Sequence, residues 1–326
     1  MQWKQWGIFF DTIHTREEFQ RFLEDFLGAK YDSACFIIKP NWINAEYGHF
    51  TDPQILDWLL SCLPTRAKKI VVEAYSARND PNIGNDSTPD ALPSLTLEVL
   101  RQTEKEFLVK TGIAESLKQN RAEYMNIDEE LCAGRAASPD LTRSKVEGCY
   151  PPVVRQELYE YIPQRLYDLR EEAILISFAK LKRLSLCLKN IFGLIPGHYA
   201  GSRGRYHGDN DSELDQSILD VNKVYNALFD VVGIIEGVNT ACVIHPNGKY
   251  HSMFGYRYHT LDALGLVFGG HNTTLLDIFV CQYLNRAPTT QKYLKMASKI
   301  LTTWDATIIE SAKNAQKPAV IASLSP

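Results

Sequence analysis

No stretch of this sequence is long and apolar enough to span a bilayer. The apolar runs at 34–38, 231–235 and 264–268 have the length of strands, far below the roughly 18 residues a spanning helix needs. The opening MQWKQWGIFFDT has neither a long apolar core nor a small-residue cleavage site, so no export signal and a cytoplasmic location are expected. Cysteine is sparse: seven, at 35, 62, 132, 149, 187, 242 and 281, with no C-x-x-C. That suits a reducing compartment and buried thiols, and no cysteine-motif iron–sulfur cluster or cysteine-only zinc site is expected. No G-x-G-x-x-G follows the first strand, and G-x-x-x-x-G-K-[ST] and G-x-S-x-G are both missing. Ordinary dinucleotide binding, phosphate-loop hydrolysis and the serine nucleophile elbow are thereby disfavoured. Neither sign of charge dominates. Thirty-five basic against 39 acidic side chains give −4, which argues against a nucleic-acid binder.

What is present is an ordinary globular composition, 45% hydrophobic and 23% charged, on a chain of 326 residues, enough for a large core. Buried strands are expected at 34–38, 69–73, 173–178, 230–237 and 264–268, with a short one near 124–127 and a strand-like tail at 319–321. Helical faces are expected at 17–27, 53–63, 95–112, 113–120, 214–229, 277–284 and 291–304. Residues 77–93, rich in Asn, Asp and Pro, read as a loop, and so do 132–152 and 245–259. Alternating buried strands and helices predict an α/β fold, a mostly parallel open sheet with helices on both faces and an irregular mid-chain excursion. A single unit built around residues 30–290 is expected, with 77–165 as an insertion or lid subregion and 305–326 as a C-terminal extension.

The chain is organised around 178–207, FAKLKRLSLCLKNIFGLIPGHYAGSRGRYH. A buried strand delivers Lys180 and Lys182. Lys189-Asn190 follow, then four glycines, with Arg203 and Arg205 on either side of the last. Glycine lets backbone N–H groups approach a ligand, and Lys and Arg add charge-assisted hydrogen bonds, so the segment reads as an anion site. A solvated basic loop is the alternative. Other polar signals also stand just after strands, at Lys39, Glu73, Glu236 and Gly269, where open α/β sheets place their ligands.

Several blocks together resemble the bacterial and archaeal family of uncharacterised proteins called DUF362. They are KPNW at 39–42 with Gly48 and Thr51-Asp52-Pro53 behind it, VVEAYS at 71–76, KLK at 180–182 and KNIFGLIPG at 189–197. VVGIIEG at 231–237 and GGHNTTLLDIFVCQYLNRAP at 269–288 complete the resemblance, whose most specific part is KNIFGLIPG. Many relatives carry a ferredoxin-like cysteine segment, which this chain lacks. Where the family usually has K-x-K-T-H this chain has Lys180-Leu181-Lys182-Arg183-Leu184. Asn272 stands where an aspartate is usual, five residues before Asp277. The resemblance implies a fold more than a chemistry.

The residues themselves suggest roles. Lys39, Lys180, Lys182, Lys189, Arg203 and Arg205 would bind a phosphate or carboxylate, with Asn41 and Asn190 hydrogen-bonding the substrate or bracing the loop. Trp42 would stack on a planar ligand or seal the core edge. Glu73, Asp230, Glu236 and Asp277 would share Mg²⁺ or another divalent ion with the substrate, or else each would pair with a lysine. Glu73, Glu236 and His207 are the proton-transfer candidates, His207 because an imidazole titrates near neutral pH. Cys187 reads as a buried thiol. The expected function is an enzyme, of unassigned reaction class, acting on a small anionic metabolite or an acidic peptide terminus. The alternative is a non-catalytic ligand-binding or accessory protein of a redox or biosynthetic pathway, working beside a partner enzyme. Neither nucleic acid nor membrane is an expected partner.

Overall fold

The structure is a computed structural model describing residues 5–42, 47–76, 95–182, 186–201, 203–251 and 256–324. The loop at 77–93 and the Arg183-Leu184 departure lie outside them. In chain order the first elements are β1 (Ile8–Thr12), α1 (Arg16–Leu27), β2 (Cys35–Pro40), α2 (Pro53–Cys62), β3 (Lys68–Glu73), α3 (Leu97–Lys110) and α4 (Ile113–Gln119). There follow β4 (Glu123–Asn126), α5 (Ile127–Cys132), α6 (Pro139–Glu147), α7 (Gln164–Asp168), β5 (Ala173–Lys180), α8 (Cys187–Phe192), α9 (Leu214–Leu228) and β6 (Asp230–Gly237). The remainder is β7 (Thr240–His251), β8 (Tyr256–Asp262), β9 (Leu266–Gly270), α10 (Thr273–Tyr283), α11 (Lys292–Ile300), α12 (Thr307–Asn314) and α13 (Ala319–Ala322). Among the described residues no helix is long and apolar enough to cross a membrane.

Seven strands form one sheet in the order β1-β9-β6-β5-β2-β3-β4. The five from β6 to β4 are parallel, as the apolar runs predict. β9 is antiparallel to both of its neighbours. Gly269 therefore lies beside Ile234, inside the sheet, rather than at the end where the parallel strands finish. Side chains alternate across the sheet. Ile37 and Leu175 enter a core with α5 to α13, while Phe36, Ile38, Ile176 and Phe178 enter a second core with α1, α2 and α4.

Local chemistry sets the helix ends. Thr15 and Glu18 close a capping box at α1, whose Phe19, Phe22, Leu23, Phe26 and Leu27 are buried, and Gly28 at φ 53° ends it. Asp52 caps α2 through the Gln54 N–H, with Pro53 in the first turn.

Three expectations need correcting, and one strand lay outside them. Of residues 245–259, expected as a loop, 245–251 and 256–259 belong to the antiparallel strands β7 and β8, and 252–255 lie outside the described residues. Their register shifts between Ile244 and Lys249, and there Gly248 lies so close to the Tyr258 backbone that a Cβ would stand 2.2 Å from its carbonyl oxygen. Residues 132–152 hold α6, whose Thr142 and Val146 are buried. Residues 319–321 are helical, because Pro318 opens a turn that packs Ile321 into the core. β1 was not expected; it is a short edge strand whose Ile8 and Phe10 face inward.

Candidate functional site

The parallel strands β2, β3, β5 and β6 finish along one edge of the sheet, and a set of buried charges collects there. Lys39 lies near the end of β2 with its side chain 2% exposed. Its ammonium stands 2.9 Å from the Glu73 carboxylate at the end of β3 and donates to the Pro40 carbonyl at 2.7 Å. One strand over, Lys180 and Glu236 face each other across β5 and β6, both fully buried, with Nζ at 2.9 and 3.1 Å from the two carboxylate oxygens. The Asp52 N–H at the start of α2 donates to the same carboxylate at 3.1 Å. Burial pushes the Glu236 carboxyl up to about 7, against the pull of Lys180 and of that N–H.

Lys182 lies two residues beyond β5 and is 5% exposed. Its ammonium donates to the Asn41 side-chain oxygen. Among the described residues it has no carboxylate partner. Burial is the largest influence on it, and Lys180 and Lys189 add like charge, so its pKa falls to about 7. Asn41 is itself fixed: its N–H donates to the Thr51 hydroxyl at 2.7 Å and its amide to Asn190 at 3.2 Å. Asn190 in α8 donates in turn to the Lys39 carbonyl at 2.8 Å and to the Ser177 hydroxyl at 3.2 Å. This is why KNIFG can lie across the strand ends. Asn190 ties the short helix to β2 and β5, and Gly193 leaves room above Lys39, where a Cβ would stand 2.8 Å from Nζ.

Lys39, Asn41, Lys180, Lys182, Asn190, Glu73 and Glu236 thus gather at one sheet edge. Glu73 and Glu236 each pair with a lysine, both at 2.9 Å. Among the described residues no three His, Cys, Asp or Glu side chains come together as a metal centre. The four proposed metal carboxylates do not share a site. Asp230 is at the opposite end of β6 and pairs with Lys30 at 2.6 Å. Asp277, fully buried in α10, accepts the Cys187 and Leu188 N–H groups, both at 2.9 Å, at the start of α8. Burial pushes its carboxyl up to about 7 against those two bonds.

Trp42 is 2% exposed and packs edge-on against Phe107 at 5.6 Å, so it seals the core and presents no face to a ligand. Lys189 is half-buried, and burial lowers its pKa. Arg203 donates to the Ile195 and Tyr75 carbonyls at 2.8 and 3.0 Å and staples two loops. Arg205 donates to the Tyr161 and Tyr206 hydroxyls, both at 2.9 Å, and lies over the Tyr206 ring. His207 makes a 2.6 Å contact with Asp211 and meets Phe192 edge-on, and burial lowers its pKa. None of these contacts joins His207 to Glu73 or Glu236, so the three expected proton carriers do not converge. Cys187 is buried as expected; burial raises its thiol well above the ordinary range, and the thiol donates to the Ser177 carbonyl at 3.5 Å.

Two features escaped sequence reasoning. Asp128, fully buried at the start of α5, accepts four backbone N–H groups, from Tyr75, Gly197, His198 and Tyr199, at 2.7 to 3.1 Å. It locks the loop after β3 to the PGHY loop, yet in sequence it is only one acid in a helix's first turn. The second is His49 beside Cys242, Nε2 to Sγ 3.4 Å, across 193 residues of chain. No local motif joins them.

Compared with known proteins, the chain matches no protein-family model, no curated protein and no solved structure. Its function must be read from its own residues.

Proposed function

We propose that this protein is an enzyme acting on a small anionic substrate, one bearing a phosphate or a carboxylate, at the carboxyl ends of β2, β5 and β6. The observation that carries this reading is Lys182. Lys39 and Lys180 each have a buried carboxylate opposite, whereas the Lys182 ammonium is buried with a neutral amide oxygen as its acceptor. A buried cation is stable when a counter-charge reaches it, or else it releases its proton. A substrate anion supplies that counter-charge, Asn41 fixes the ammonium that receives it, and Glu236, poised near 7, holds or gives a proton beside it. Seven cysteines without a disulfide fit a reducing, cytoplasmic setting.

Calorimetric titration with inorganic phosphate and with malonate tests the reading. At pH 8 most Lys182 is unprotonated, so binding should take up close to one proton, read as a dependence of the enthalpy on the buffer's ionisation heat. Lys182→Met should abolish both the binding and the uptake. Binding that survives in the variant, or none in the native protein, would overturn the assignment. A second reading, a ligand-binding or accessory protein of a redox or biosynthetic pathway, draws on the pairing of Lys39 and Lys180 with carboxylates, which leaves Lys182 to hold a ligand. Formation of a mass-shifted product separates the two.

A further inference from the structure

The hairpin β7–β8 lies against the strand ends, held by the turn that follows β2. The Tyr47 hydroxyl donates to Asp262 at 3.0 Å, and a Cβ on Gly48 would stand 2.6 Å from the Thr260 side chain. Asn239 donates to Gln54 at 2.9 Å. Within this seam His49, 1% exposed, places Nε2 3.4 Å from the sulfur of Cys242, 3% exposed. The imidazole stands edge-on to Tyr258, with centroids 4.4 Å apart. Cys242 also pairs with Lys182 through an isolated parallel bridge, its N–H donating to the Leu181 carbonyl at 3.0 Å. The same bridge sets Lys182 and Cys242 opposite each other. A thiol, a base and a cation thus share the site. Cys35 packs in the hydrophobic core, and burial pushes its thiol up to about 11.

We propose that Cys242 is a nucleophile, held as a thiolate paired with the imidazolium of His49, and that the reaction is acyl transfer from a small anionic ester, thioester or acyl phosphate whose anion Lys182 receives. His49 already holds the thiol proton when the sulfur attacks the carbonyl carbon. The S–C bond forms, the bond from carbon to the leaving group breaks, and His49 returns the proton to that group. Water then attacks the acyl-enzyme with His49 as base, the C–S bond breaks, and the thiol regains its proton. No electrons are gained or lost. The proposal deepens the reading above and rests on it only for the anionic part of the substrate.

The test is alkylation of the intact protein with iodoacetamide and, separately, iodoacetate, with each cysteine followed by peptide mass spectrometry. Cys132 and Cys149 are exposed and serve as references within the same molecule. Cys242 should react at least tenfold faster than both at pH 6.5, despite its burial. Its rate should stay nearly flat from pH 6 to 8, while an ordinary thiol's rises about tenfold per pH unit. His49→Gln should remove the excess; should that variant not fold, the native pH profile decides alone. Slower labelling of Cys242 than of both references, or a rate that climbs with pH as theirs do, overturns the proposal. Iodoacetate should also be preferred over iodoacetamide at Cys242 relative to Cys132, and Lys182→Met should erase that preference. A fast Cys242 without the preference would uphold the thiol and refute the anion site. Phosphate binding with an inert Cys242 would do the reverse.

Discussion

Replacing Lys182 by Met should change the protein's stability in opposite directions at low and high pH. Burial holds the ammonium at about 7, against 10.5 for a solvated lysine. That difference corresponds to about 5 kcal/mol favouring the neutral form in the folded state. Between these two values the unfolded chain holds more protons than the folded one, so native stability rises with pH across the window and the full penalty is present below pH 7. Methionine removes the penalty but leaves the Asn41 oxygen without its donor, a loss of roughly 1–3 kcal/mol at any pH. At pH 6 the variant should therefore be more stable than the native protein by about 2–4 kcal/mol. At pH 10, where most of the penalty has gone, it should be less stable by about 1 kcal/mol, the sign changing near about pH 9. Urea unfolding of both proteins from pH 6 to 10 measures this, and groups common to the two cancel in the difference. A difference of constant sign and size would refute the reasoning, since Lys182 would then keep an ordinary affinity for its proton.

Two further substitutions examine the frame around that residue. Gly193→Ala sets a methyl 2.8 Å from Nζ and 3.0 Å from Cε of the buried Lys39 and 3.1 Å from the Asn190 carbonyl. Overpacking there should cost about 1–3 kcal/mol in a urea melt, and an unchanged midpoint would show that Lys39 can move aside. Glu73→Gln leaves the Lys39 ammonium buried opposite a neutral group and should destabilise by about 3–5 kcal/mol, while Lys39→Met combined with Glu73→Leu should recover most of the loss. Failure of the double variant to recover would mean that the pair does more than neutralise itself.

The sheet was legible because β2, β5 and β6 are continuous apolar runs, as strands covered on both faces must be. β7 and β8 were not, since a two-stranded ribbon tolerates His, Pro, Asn and Gly where a central strand does not. The charges at the strand ends were also legible, as Lys39, Glu73, Lys180 and Glu236 each follow buried residues. Their pairing was not, because it depends on register: Lys180 meets Glu236 only because β5 and β6 align residue for residue. Asp230 and Asp277 show the limit of reading carboxylates by type alone. One is at the wrong end of its strand, and the other serves a helix start. His49 and Cys242 lay beyond reach altogether, since a hairpin unseen in the sequence brings them together.

The strand order also fixes how the sheet can grow as the chain is made. From β3 onward, each strand of the large sheet docks beside one already present: β3 on β2, β4 on β3, β5 on β2, β6 on β5 and β9 on β6. β1 is the exception, since its partner is β9, made only after all the other strands of that sheet. Until then Ile8 and Phe10, which finish 0% and 3% exposed, have no sheet to join. The strand nearest the start of the sequence is thus the last to be covered, and a nascent chain must keep that apolar edge from other edges throughout synthesis.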